Sequence, residues 1–95
     1  MSEETDTIRL DLWLFRTRFF KTRTLSIAFA GKGKVRIARH GVSRRAKSGA
    51  AAVHVDDVLT FAQNQNIITI KVLAMPVRRG PAPEATTCYE TVLPD

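Results

Sequence analysis

From Leu12 to Val55 the chain contains neither aspartate nor glutamate, although this stretch is nearly half the molecule. It carries eleven lysines and arginines. A surface with so little of one charge repels itself, and a polyanion is what offsets that cost. Cysteine is nearly absent: Cys88 stands alone, which excludes an internal disulfide and fits a reducing compartment. No apolar run approaches the ~18 residues of a membrane span. The first seven residues, Met-Ser-Glu-Glu-Thr-Asp-Thr, lack the basic start and apolar run of a secretory signal. The expectation is a cytoplasmic protein with no membrane partner.

What is present points to one folded domain. The chain has 95 residues, a net charge of +6, a pI near 10.3 and 44% hydrophobic residues. The basic stretch also holds Trp13, Leu14, Phe15, Phe19, Phe20, Leu25, Ile27 and Phe29. A disordered basic tail lacks such a core-forming set.

Residues 1–7 read as a flexible leader, 8–75 as the domain, and 76–95 as a C-terminal extension with a short helix. Leu10, Trp13, Leu14 and Thr17 share one helical face, with Asp11 suited to the dipole of the first turn. Thr22 is placed to cap a second helix from Arg23 to about Ala30, with Leu25, Ala28 and Phe29 as its apolar side and Gly31 and Gly33 ending it. Val35 and Ile37 alternate with basic residues as a strand does. Residues 39–52 read as a long basic loop, with room for a short strand at Val42. Strands follow at Val53–Val55, at Val58–Phe61 and from Ile67 to Ala74, with Gln63–Asn66 as a hairpin connection and Asp56-Asp57 as a turn. Pro83-Glu84-Ala85 opens a last helix reaching about Tyr89. The fold class expected is α+β: two or three short helices packed on a small antiparallel sheet of about four strands.

The corner between the first two helices concentrates Arg18, Lys21, Thr22 and Arg23 where free helix amides already favour an anion. A solvated charged turn is the plain alternative, but no acid lies nearby to balance it. A second cluster runs through Lys32, Lys34, Arg36 and Arg39 to Arg44, Arg45 and Lys47. Charges guarding an edge strand would explain some of these, though not one sign throughout. The aromatics read mainly as core, with Phe15 or Phe20 as the candidates for exposure. Gly31-Lys32-Gly33-Lys34 lacks Walker-loop spacing, and His40, His54 and Cys88 are too scattered for zinc. No serine carries a nucleophile motif. No catalysis, cofactor, metal or small-molecule substrate is expected.

These residues carry a resemblance. Arg9-Leu10-Asp11, Trp13-Leu14, Arg18-Phe19, Lys21-Thr22-Arg23, Ala28, Gly31 and Gly33-Lys34-Val35 resemble the ribosomal-protein S-four type RNA-binding domain, or alpha-L motif. Arg78-Arg79-Gly80-Pro81-Ala82-Pro83-Glu84-Ala85 and Tyr89-Glu90 narrow the likeness to the bacterial heat-shock protein 15 family. The resemblance implies binding of structured RNA, chiefly ribosomal RNA of the large subunit, in recycling or rescue of subunits stalled with a nascent chain. It implies RNA contacts at Arg9, Arg18, Lys21, Thr22, Arg23 and Lys34, and charge alone extends these to Arg36 and Arg39. The family usually has Asn-Gly after the second-half strand; here His40-Gly41 stands there, and the next loop is longer. The expected state is a monomer. A DNA-binding regulator with a helix-turn-helix-like corner is the alternative. S-four type domains are also appended to RNA-modifying enzymes, whose catalytic domains are much larger than this chain.

Overall fold

The computed structural model describes residues 7–93. Of the expected leader, residues 1–6 lie outside the described residues, while Thr7 opens strand β1 (Thr7–Arg9). This strand pairs antiparallel with β4 (Ala52–His54), a partnership far too distant in sequence for periodicity to reveal. Helix α1 (Leu10–Arg16) follows directly, opening at the first residue of its apolar face. Leu10, Trp13, Leu14 and Thr17 are all buried, as their spacing requires. The unpaired amides of its first turn are taken up by the loop before β4: Leu10 N donates to Ala51 O (2.8 Å) and Asp11 N to Gly49 O (3.1 Å).

Helix α2 (Arg23–Gly31) begins at Thr22, whose Oγ1 accepts from Leu25 N at 3.1 Å. Its buried side differs from the expected one. Ser26 and Ala30 are buried and Phe29 is half-buried, whereas Ala28 is exposed and Leu25 is 52% exposed. The small side chains decide this: Ser26 Oγ donates to Asp11 O at 2.6 Å, so α2 rests closely on α1. Gly31 ends the helix and Gly33 follows in left-handed backbone (φ 70°).

The main sheet is antiparallel, in the order β3-β2-β5-β6-β7. Its strands are β2 (Arg36–Arg39), β3 (Val42–Arg45), β5 (Val58–Gln63), β6 (Asn66–Val72) and β7 (Tyr89–Thr91). The expected basic loop is thus partly a hairpin; β3 has all four residues exposed, so no apolar alternation marked it. Two-residue turns join β2 to β3 and β5 to β6. His40-Gly41 (φ 53° and 80°) and Asn64-Gln65 (φ 53° and 70°) supply the paired left-handed residues that such turns require. The tail forms a helix α3 (Ala82–Ala85) and a 3-10 turn, then returns as β7 beside β6, pairing Val72 with Tyr89.

One sheet face packs Ile37, Leu59, Phe61, Ile70 and Val72 with Leu10, Trp13 and Leu14 in a single core. Trp13 Nε1 donates to Ala74 O at 3.0 Å. Among the described residues no helix is long and apolar enough to cross a membrane.

Asp57, expected as part of a turn, is buried and structural. Burial alone pushes its carboxyl up, but hydrogen bonds from Arg39 and the His54 amide more than offset this and leave it below the usual carboxylate range. A lowered native pKa stabilises the fold above the unfolded value of about 3.9, and that stability is lost as pH falls through the native pKa. Thermal melts should therefore show stability dropping on acidification below about pH 4, with a shallower acid dependence in Asp57→Asn. Parallel acid profiles for the two proteins would remove Asp57 as the cause.

Candidate nucleic-acid interface

The end of α1 builds the corner. Phe19 N bonds Leu14 O (3.1 Å) and Arg18 N bonds Phe15 O (3.0 Å), the paired closure that usually recruits glycine at the left-handed position. Here Arg18 takes that position with φ 70°. An arginine held in backbone that costs about a kilocalorie marks a position where the side chain matters. Its Nη1 donates to Gly80 O at 2.8 Å.

Gly80 belongs to the elbow 76–80, which wraps the corner. Arg16 Nη1 reaches Pro76 O at 3.0 Å, and Arg79 Nη2 reaches Phe20 O at 3.4 Å. The Arg79 guanidinium lies 5.2 Å from the centre of the Phe15 ring, and its buried Nε has no hydrogen-bond partner. The sequence placed Arg78-Arg79-Gly80 in the C-terminal extension, but nothing local in the chain revealed that this stretch touches the corner. Phe15 and Phe20 are half-buried, engaged with Arg79 and Phe29 respectively.

The expected interface residues divide into three groups. Lys21, Arg23, Lys34 and Arg36 are exposed and have no ion-pair partner among the described residues. Thr22 and Arg18 shape the corner through the bonds already described, Arg18 remaining exposed. Arg9 and Arg39 are the two already paired with carboxylates. Arg9 bonds Asp11 through Nε (3.1 Å) and Nη2 (2.8 Å), and Arg39 bonds Asp57 through the same two atoms (2.7 and 2.8 Å). Arg39 Nη2 also reaches Ala52 O at 3.2 Å. Both acids are buried, so these two-atom guanidinium edges serve the framework and are not open to a phosphate. Asp11 read as a dipole partner and Asp57 as a turn residue, which hid both pairs.

Four more exposed cations join the free set: Lys32, Arg44, Arg45 and Lys47. Sequence reading noticed their charge without assigning them to the interface. Register makes their placement plain. Arg36 pairs directly with Arg45, and on the next strand with Thr60, so two arginines stand side by side on the sheet face away from the core. Arg45 Cδ lies 3.2 Å from where a Cβ on Gly33 would stand, which brings the hairpin against the end of α2. Lys21 and Arg23 therefore lie at one end of α2, and Lys32, Lys34 and the hairpin arginines at the other, about 14 Å along the helix axis. Like charges so arranged attract one extended polyanion, and nothing described between them neutralises it.

No family model matches the chain. It is 37% identical over 83 residues to the heat shock protein 15 homolog of Haemophilus influenzae, covering 87% of this chain and 60% of that protein. Heat shock protein 15 of Escherichia coli K12 shows the same identity over the same length, covering 59% of that protein. The chain thus spans about three fifths of the curated relatives it matches. A solved trimeric structure of Vibrio cholerae heat shock protein 15 superimposes with a TM-score of 0.79 at 34% identity, covering 90% of this chain and 82% of that one.

Proposed function

This chain belongs to the heat shock protein 15 family, and we propose that it binds structured RNA without catalysing a reaction on it. The observation that carries this reading is the set of eight exposed cations without ion-pair partners among the described residues: Lys21, Arg23, Lys32, Lys34, Arg36, Arg44, Arg45 and Lys47. They ring α2 and the adjoining hairpin, while three arginines that bond backbone carbonyls hold the corner in shape. A-form RNA hides its base edges in a narrow groove, so such a surface reads phosphates, 2′-hydroxyls and shape. The target proposed is ribosomal RNA of the large subunit, in the cytoplasm, with recycling or rescue of stalled subunits as the role. The Vibrio cholerae relative is trimeric in its structure; this chain is proposed to engage RNA as a single copy.

Binding should weaken with salt. With about four to six phosphates neutralised, log K should fall against log salt with a slope of roughly −3 to −5. A titration of a large-subunit ribosomal RNA hairpin, with duplex DNA as competitor, tests both the slope and the choice of nucleic acid. A flat salt dependence, or duplex DNA displacing the hairpin at equal concentration, would count against the reading.

A further inference from the structure

A groove of about 720 Å³ lies between the β2–β3 hairpin and the loop that follows it. Ile37, Val42 and Ala46 line it on one side, and Ala50, Ala51 and Ala52 on the other. Arg44, Arg45 and Lys47 line it too, with no acid among the lining residues. Arg39 closes one wall, held there by Asp57 and Ala52 O. The groove thus combines an apolar lining with three free cations, and Arg44 stands opposite Ile37 on the same sheet face. Its size falls within the range that takes a compact organic ligand, about 300–1,000 Å³.

Charge complementarity narrows the occupant. A flat apolar body with an anionic tail is what the groove fits, and Arg45 joins it to the cationic end of α2 at Gly33. We propose that this groove takes a single unpaired nucleotide of the bound RNA, its base against the alanines and its phosphate at Arg44 and Lys47. The inference rests on the RNA-binding reading and deepens it. The preferred RNA is then a helix interrupted by a flipped-out nucleotide, because only an unstacked base can leave the duplex to enter a pocket. Removing about 55 Å² of apolar surface from water at about 25 cal/mol per Å² discriminates by roughly ten-fold.

The test compares an RNA hairpin with the same hairpin carrying one bulged nucleotide, at fixed salt. Wild type should bind the bulged form about ten-fold more tightly. Ala50→Leu fills the groove without altering charge, and should erase that preference while leaving the plain hairpin affinity unchanged. Arg44→Gln with Lys47→Gln should also erase it and lower the salt slope by about one to two. These positions are exposed, and circular dichroism verifies that each variant is folded. Equal wild-type affinities for the two hairpins, or a preference that survives Ala50→Leu, would overturn the proposal. So would an acidic peptide that binds in the groove and leaves hairpin binding intact. Salt-sensitive binding of both hairpins without discrimination would overturn this inference alone; failure to bind either would instead overturn the RNA reading.

Discussion

Reversing both corner cations, Lys21→Glu with Arg23→Glu, is expected to lower affinity for the ribosomal RNA hairpin about a hundred-fold. Each reversal removes an attraction and adds a repulsion near a phosphate, together on the order of 1.4 kcal/mol, and two such changes make two decades. Unfolding would not explain the loss. Both side chains are exposed, and Thr22 keeps its cap on Leu25 N. A carboxylate at residue 23 sits in the first turn of α2, where it stabilises the helix. Lys71→Glu controls for net charge: Lys71 lies on β6, 3.7 Å from Asp56, away from α2 and the hairpin. Filter-binding titrations of the three proteins suffice. Lys71→Glu changes net charge by two units against four for the double variant, so a control loss half as large on a logarithmic scale would mean that overall charge, not the corner, drives association.

The second large effect concerns folding. Gly49→Ala is expected to cost about 3 kcal/mol, the upper end for overpacking, which in a domain of this size lowers the melting temperature by roughly 12–24 °C. A Cβ at Gly49 would stand 2.8 Å from both Cβ and Cγ of Asp11. Asp11 has no room to give. It is fully buried, held by two bonds from Arg9, and its own amide is bonded to Gly49 O. The damage should therefore be specific to the pair. Asp11→Ala combined with Gly49→Ala should be more stable than the sum of the two single effects predicts, because losing the carboxylate removes the Cγ and Oδ2 contacts and leaves only the one to Cβ. Strict additivity in denaturant titrations would contradict the close approach.

The same pair illustrates what the sequence could disclose. Leu10, Trp13, Leu14 and Thr17 announced the buried face of α1 because helical periodicity is local. β5 and β6 were legible for a similar reason, being rich in β-branched residues around a short polar turn. α2 was located correctly but its buried side was misjudged, since Ser26 and Ala30 outrank Leu25 only when α1 is pressed against them. β1 and β7 stayed hidden, and β3 was legible only as room for a short strand at Val42. β1 and β7 owe their existence to distant partners, and β3 shows no alternation because its whole length faces solvent. At the interface, the resemblance and the charge pattern together named Lys21, Arg23, Lys34 and Arg36, which stand exposed without ion-pair partners among the described residues. They also named Arg9 and Arg39, whose carboxylate partners lie buried where composition cannot place them. Hydrogen-bond partners, unlike charge, are a property of the folded chain.

The elbow's grip on the corner carries a consequence for the timing of synthesis. Arg16, Arg18 and Arg79 each join groups about sixty positions apart along the chain. Translation delivers the α1–α2 turn first and its clamp about sixty residues later. A nascent chain stopped short of Gly80 would expose every cation at residues 18–23, yet without the strap that holds them in register. Under the proposed RNA-binding function, competence to bind is then expected only after Gly80 has been made, and copies shorter than that would not compete for the same RNA.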